Sequence, residues 1–532
     1  MADSLFLKNY PLIKIIKSGD IYIVYDAKSD FAFAASDKEI KFLKAISGDE
    51  PSDKFNGDKD FIKFSEKISA LKKCGIFIPG ALGKIGLSDK KDFSELVDYY
   101  EKFIVTRKFN IELTEDCNFR CHYCPNTLAT TGRTHTKKYI TEEIACRAID
   151  NYYNRFTGFL STLSSEKKQK LLKMNEPGIG YYGGEPLLNF DVLKKSHKYF
   201  LSLEWEKYSA DKSAFVFGLT SNLGKISEEI IDYLVENHFL LYVSLDGPAE
   251  EHNKNRVFAG GGGTFDTVYK NLMRIKSKYP EYYRTKVFII SVSTKNLDKE
   301  KCDEFFSEIR NGEIGGFKHR IMSDYSERGK IIPFADEKLA ELRKNKSFNL
   351  RIFENKIREN NFFTVQQKEE FLDEYCQGLN RFLKIKYDKP FGCNHIHSIN
   401  TCPMGFDNLM VDSDGNYHMC HKTDGSLIIG NVWDGLDYNK IADAYLAFNS
   451  TLGNDNCKNC WAIRFCKACA AVKLDNGKFF TAQKDECDFI KESTEYLFEK
   501  FILLQRNDEL TDFFEERESQ NVDSGIIDIN YL

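Results

Sequence analysis

The cysteines constrain this chain more than any other feature. Of 15 cysteines in 532 residues, eleven fall into two groups. The first is Cys117, Cys121 and Cys124; the second is Cys393, Cys402, Cys420, Cys457, Cys460, Cys466, Cys469 and Cys487. The N-terminus, Met1-Ala2-Asp3-Ser4, shows neither the basic stretch nor the apolar run of a secretory signal. A cytoplasmic, reducing location is therefore expected, where clustered cysteines bind metal more often than they form disulfides. Cys74, Cys146, Cys302 and Cys376 lie outside both groups and read as small buried apolar residues.

The rest of the composition narrows the class. Hydrophobic residues make up 42% and charged residues 29%, a globular rather than disordered balance. The length suggests about three domains. No apolar run approaches the roughly 20 residues of a membrane span. A net charge of −5 gives no basic field, so neither membrane nor nucleic acid is an expected partner.

Residues 1–88 read as a small separate domain. Ile13–Ile16 and Ile21–Tyr25 flank a Ser18-Gly19-Asp20 turn as a β-hairpin, and Phe31–Ala34 is a third strand. Ser36 and Glu39 form a capping box before a helix, and Phe61, Phe64, Ile68 and Leu71 mark a second helix that Gly75 ends. This set resembles a winged helix, here with a peptide-docking role in which the third strand is an edge for strand addition. Residues 89–108 hold an amphipathic linker helix with Phe93, Leu96, Val97 and Tyr100 on one side. From 109 to 330, strands alternate with helices: Ile111–Leu113, Gly178–Tyr182, Phe215–Leu219, Leu240–Ser244, Val287–Ser291 and His319–Met322. Six such units predict an α/β fold, a partial (β/α)6 barrel whose site lies at the C-terminal strand ends. A helical bridge is expected over 331–392, a cysteine-rich domain over 393–495, and a helix with an acidic tail over 496–532.

Cys117-Asn-Phe-Arg-Cys121-His-Tyr-Cys124 follows the first barrel strand. Three soft thiolates at this spacing suit one corner of a [4Fe–4S] cube and leave one iron open. A zinc site would want a fourth ligand, for which His122 is nearest. The triplet, with Tyr123 before its last cysteine, resembles the radical S-adenosylmethionine (SAM) superfamily, in which SAM chelates the open iron. Gly183-Gly184-Glu185-Pro186 after the second strand matches the segment that hydrogen-bonds the SAM amino group. Ser221 and Asn222 sit where relatives carry a Thr-Asn-Gly turn. Ser244-Leu-Asp246-Gly-Pro248, His252 and Arg256 match a further stretch. The resemblance makes Ser244 and Arg256 candidates to hold SAM, Arg256 through its carboxylate. Asp246 is as well suited to capping a helix as to acting. Gly260–Gly263 lacks the Gly-Lys-Ser/Thr of a phosphate loop and reads as a flexible loop.

The second group resembles the SPASM domain of peptide-modifying radical SAM enzymes, one residue short before Cys469. The resemblance assigns Cys393, Cys402, Cys420 and Cys469 to one auxiliary [4Fe–4S] cluster and Cys457, Cys460, Cys466 and Cys487 to another, three clusters in all. His395, His397, His418 and His421 read as second-sphere or surface groups. Together these matches imply a radical SAM/SPASM peptide maturase. Such an enzyme cleaves SAM reductively to a 5′-deoxyadenosyl radical and cross-links a ribosomally made precursor peptide through a thioether or carbon–carbon bond. The leader peptide would bind the N-terminal domain, and a flavodoxin or ferredoxin would supply electrons. A sulfatase maturase making formylglycine is the alternative within the family; those relatives carry Asp after the cysteine matching Cys420, where this chain has His421. A non-enzymatic zinc-binding protein is the alternative from another class.

Overall fold

The computed structural model describes residues 5–18, 21–85, 109–124, 134–166, 177–208, 210–293, 297–311, 316–321 and, with short interruptions, 409–513, plus isolated positions between them. Most of the linker helix and helical bridge, the end of the tail, and Cys376, Cys393, His397 and Cys402 lie outside the described residues.

The N-terminal region is an antiparallel meander of β1 (Leu5–Leu7), β2 (Tyr10–Ser18), β3 (Ile21–Asp26) and β4 (Phe31–Ala35), followed by helices α1 (Asp37–Ser47) and α2 (Lys59–Lys73). It has one strand more than the three expected, because Leu5–Leu7 is too short to show alternation. Both bonds of the Ser36–Glu39 capping box form. Gly75, at φ +81°, follows α2 in the left-handed region that glycine tolerates.

Both faces of this sheet are covered. Ile13, Ile15, Tyr22 and Val24 pack under α1 and α2. Leu12, Ile16, Tyr25 and Ala27 point the other way, into the main core. Lys14 shares that second face, buried and paired with Glu495 at 2.9 Å. Two covered faces explain why Ile13–Ile16 reads as a nearly continuous apolar run. The covering surface is the second cysteine region. Tyr25 meets Phe465 and Phe498 with ring centroids 5.7 and 5.2 Å away. Arg464 donates to the carbonyls of Ala27 and Lys28 at 2.6 and 2.9 Å.

The large sheet begins with six parallel strands in sequence order: β6 (Phe109–Glu112), β7 (Gly178–Tyr182), β8 (Val216–Ser221), β9 (Leu240–Ser244), β10 (Val287–Ser293) and β11 (Gly316–Ile321). Helices α3 (Glu142–Ser161), α4 (Phe190–Ser202), α5 (Glu228–Glu236), α6 (Ala249–Asn255), α7 (Phe265–Lys278), α8 (Pro280–Lys286) and α9 (Lys299–Asn311) separate them. The expected sixth strand is displaced: pairing with β10 runs from Phe288 opposite Gly316 to Ser293 opposite Ile321, so β11 starts three residues before His319.

The strands do not stop at β6. β5 (Lys84–Ile85) pairs apart with β12 (His395–Ile396). β13 (Met410–Val411) lies parallel to β6, and β14 (Asn416–His418), β15 (Ile428–Asn431) and β16 (Gly435–Leu436) continue antiparallel, making a ten-stranded sheet. The second cysteine region is thus partly an extension of the barrel sheet, which strands of two to four residues conceal in the sequence. Helix α10 (Tyr438–Leu452), the turn α11 (Asp455–Lys458), the hairpin β17 (Leu474–Asp475) and β18 (Lys478–Phe479), and helix α12 (Lys484–Leu504) complete it. Among the described residues no helix is long and apolar enough to cross a membrane.

Candidate active site

The matched residues after β6, β7, β8 and β9 converge at one end of the sheet, the C-terminal end that parallel α/β folds use for chemistry. The β6 and β7 exits remain paired past the strands. Gly184 N–H donates to Thr114 O at 2.7 Å, and Glu185 N–H to Asp116 O at 2.8 Å. A side chain at Gly184 would sit 2.1 Å from Asp116 O, and one at Gly183, where φ is +140°, 2.3 Å from Thr114 O. These glycines therefore let the turn press on the backbone that leads into Cys117. Pro186 opens the short 3-10 turn that follows.

Glu185 is buried, and its carboxylate is occupied by the protein itself. It accepts from Ser221 Oγ at 2.9 Å, Asn222 N–H at 2.7 Å and Leu187 N–H at 3.1 Å. Burial pushes its carboxyl up to about 7 against these three donors. Glu185 thus ties the β7 exit to the β8 exit, an engagement that its sequence context does not reveal. Asn222 also donates to Cys117 Sγ at 3.5 Å and to Asn118 Oδ1 at 2.9 Å.

Arg256 is likewise engaged. Its Nε and Nη2 fork onto Asp246 at 2.8 and 3.0 Å. Asp246 also takes the Tyr123 hydroxyl and the Val292 N–H. The guanidinium lies 5.3 Å from the Tyr123 ring centre and bonds toward Cys121. Asp246 is fully buried and does not cap α6, whose N-cap Pro248 makes no side-chain bond. Its opposing charge holds Arg256 protonated despite burial. Ser244 ends β9 half-buried, and its hydroxyl bonds no described residue.

His252 supports this pair from below. Its Nδ1 accepts from Asp246 N–H at 3.3 Å, while Nε2–H faces Thr264 Oγ1 at 3.0 Å. Thr264 donates its own proton to Arg256 O, which fixes the neutral tautomer. Burial and Arg256 lower its pKa to about 3. The Gly260–Gly263 loop is the tip of a hairpin whose stem braces the triplet. Arg120 N–H bonds Val257 O, His122 N–H bonds Asn255 O, and Ala259 N–H bonds Asn118 O. His135 was missed by sequence reading, since nothing around it marks a motif. Its Nδ1–H points to Glu115 O at 3.2 Å and its Nε2 lies 3.5 Å from Cys124 Sγ.

The donor set fits an iron–sulfur cluster. The triplet thiols interact electrostatically, and burial raises Cys117 and Cys121, the latter to about 12. Metal binding would release their protons, and Arg256, Asn222 and the Phe119 N–H are placed to stabilise the thiolates. Among the described residues no three His, Cys, Asp or Glu side chains gather tightly enough for a single metal ion.

In the second group, Cys457, Cys460, Cys466 and Cys487 sense one another's charge, with Cys466 raised to about 12 and Cys487 to about 11 by burial. Cys420 is half-buried and Cys469 exposed. His418 is buried against Asp412 at 2.8 Å, and the His421 ring lies 5.0 Å from Tyr182 at the barrel mouth. Of the scattered cysteines, Cys302 is buried as expected, but Cys74 is exposed at the end of α2 and Cys146 is half-buried.

Residues 111–306 match the family model described as "Radical SAM superfamily", which implies a [4Fe–4S] cluster and SAM. A cysteine-type anaerobic sulfatase-maturating enzyme of Clostridium perfringens is 24% identical over 74% of this chain and 96% of its own length. The radical SAM cyclopropyl synthase TigE of Paramaledivibacter caminithermalis is 21% identical over 72% of each chain. A solved structure of a histidine-tagged protein, described as "anSMEcpe with bound AdoMet", superposes at TM-score 0.50 with 21% identity, covering 77% of this chain and 98% of that one.

Proposed function

From the premise that residues 111–306 form a radical SAM domain, we propose that this enzyme is a peptide maturase acting on a ribosomally made precursor peptide. Its product carries a thioether or carbon–carbon cross-link. The observation that carries this reading is the N-terminal sheet. β4 pairs with β3 on one side and with no described strand on the other, and the same sheet is seated on the second cysteine region. A leader strand added at β4 would hold the rest of the peptide near the barrel mouth and raise its effective concentration there.

Cys117, Cys121 and Cys124 would hold the SAM-binding cluster. When bound, that cluster and SAM supply reductive cleavage to a 5′-deoxyadenosyl radical. Cys393, Cys402, Cys420 and Cys469 would hold one auxiliary cluster and Cys457, Cys460, Cys466 and Cys487 the other. Asp246, Arg256 and Tyr123 orient the Cys121–Cys124 stretch. The Gly183–Glu185 turn fixes the approach to Cys117, and the Ser244 hydroxyl offers a donor or acceptor to SAM. A flavodoxin or ferredoxin is the proposed electron source.

A second reading, conversion of a sulfatase cysteine or serine to formylglycine, is favoured by the name of the curated C. perfringens relative. Against it stand His421 and the N-terminal sheet. Iron and sulfide analysis of anaerobically reconstituted protein is the entry test: three clusters require about twelve irons, one cluster about four. Mass spectrometry then separates the readings. The proposal expects SAM cleavage and loss of peptide hydrogens to depend on an intact leader; turnover of a leaderless sulfatase peptide to formylglycine would overturn it. Zinc without iron would remove both.

A further inference from the structure

We infer that the β4 edge takes an acidic peptide segment. The inference rests on the docking reading above and adds the chemistry of the docked strand. α2 packs on the face of the sheet that carries Phe31 and Phe33, and Lys67 Nζ lies 5.1 Å from the Phe33 ring centre, which places α2 alongside β4. Lys59, Lys63 and Lys67 follow one another at four-residue spacing, so they form one row on the helix. All three are exposed, and Ile62 beside them is 50% exposed.

Like charges at this spacing disfavour a helix unless something neutralises them. Among the described residues none of the three has a carboxylate partner within 4.0 Å. Of the acids on this helix and its cap, Asp58 and Asp60 are taken by Lys38 from α1, and Glu66, three residues after Lys63, forms no ion pair with the row within 4.0 Å. An added strand would place alternate side chains on the α2 face of the sheet, beside the row. Acidic side chains there would meet the lysines, while backbone bonds to β4 would supply the rest of the affinity. A second copy of this chain is a poorer occupant. Pairing β4 with β4 in one continuous antiparallel sheet would put two lysine rows on the same face.

The test uses the full-length reconstituted enzyme and three fluorescein-labelled fifteen-residue peptides in which Val alternates with Glu, Gln or Lys. Anisotropy reads affinity, and hydrogen exchange at Phe31–Ala35 reads the site. The Glu peptide should bind about tenfold more tightly than the Gln peptide at low salt. It should lose that advantage at high salt and slow exchange along β4. Lys63→Glu with Lys67→Glu should reverse the preference toward the Lys peptide, and the double Gln variant should abolish discrimination. If all three peptides protect β4 equally, or charge reversal changes nothing, the acidic-segment inference falls while strand docking stands. If no peptide slows exchange at β4, the docking reading falls and this inference with it. A dimer that sedimentation detects and that blocks peptide binding would assign the edge to a second copy and overturn the inference.

Discussion

The two cysteine regions are held by different means. The triplet loop is braced from a distance: the 255–259 strand supplies three backbone hydrogen bonds to residues 118–122, and Phe258 packs edge-on against Phe119 at 5.2 Å. Asp246 then locks Arg256 and Tyr123 beneath it. The 457–466 segment is built from local turns: Cys460 N–H bonds Cys457 O, Ile463 N–H bonds Cys460 O, and Cys466 N–H bonds Ile463 O. The first loop is therefore braced chiefly by a hairpin distant in sequence, whereas the second combines these local turns with ties to the N-terminal region, through Leu82 N–H to Lys458 O at 2.9 Å and through Arg464.

The contrast can be broken most severely at Asp246. Asp246→Ala leaves Arg256 buried and uncompensated, so a loss of about 3–5 kcal/mol is expected in chemical denaturation of the metal-free protein. SAM cleavage should be lost with it. Acid should act on the same brace next. His252 is neutral in the fold with its pKa lowered to about 3 from 6.5. The unfolded chain then binds the extra proton first, so stability falls as pH drops from 6.5 toward 3, by up to about 4 kcal/mol. His252→Asn should flatten that part of the pH–stability curve; an unchanged curve would show that His252 does not carry it.

Gly184→Ala tests the close approach of the β6 and β7 exits. The added Cβ has no room beside Asp116 O, so about 1–3 kcal/mol should be lost and iron incorporation at the triplet reduced. Removing iron by chelation sharpens the comparison directly: amide exchange should accelerate more over 457–487 than over 117–124. Equal acceleration would refute the difference in bracing. The smallest effect is expected at Arg464→Ala. It removes two hydrogen bonds to the β3–β4 turn, about 1–2 kcal/mol by thermal melting, and should loosen the N-terminal sheet without touching the triplet.

Much of the site was legible because its chemistry fixes residue type and spacing. The triplet, the Gly183-Gly184-Glu185 turn and the Asn222 and Arg256 positions all fall at the converging strand ends. Their partners were not legible. Glu185 bonds Ser221 and Asn222 across 36 and 37 residues, and Arg256 bonds Asp246 across ten, so neither engagement leaves a local pattern. His135 reaches Cys124 only through the fold. Likewise the ten-stranded extension rests on strands too short to alternate, such as Met410–Val411 against β6.

The sequence by itself determined the thiol spacing and the six parallel strands: thiols at fixed intervals, and apolar strands alternating with amphipathic helices, are local patterns that survive in one dimension. Only the tertiary structure decided which polar groups occupy one another and which remain open. It seated the N-terminal sheet on the second cysteine region and left the β4 edge beside a row of lysines. Those outcomes depend on contacts between residues tens to hundreds of positions apart, and such contacts are set by packing rather than by periodicity.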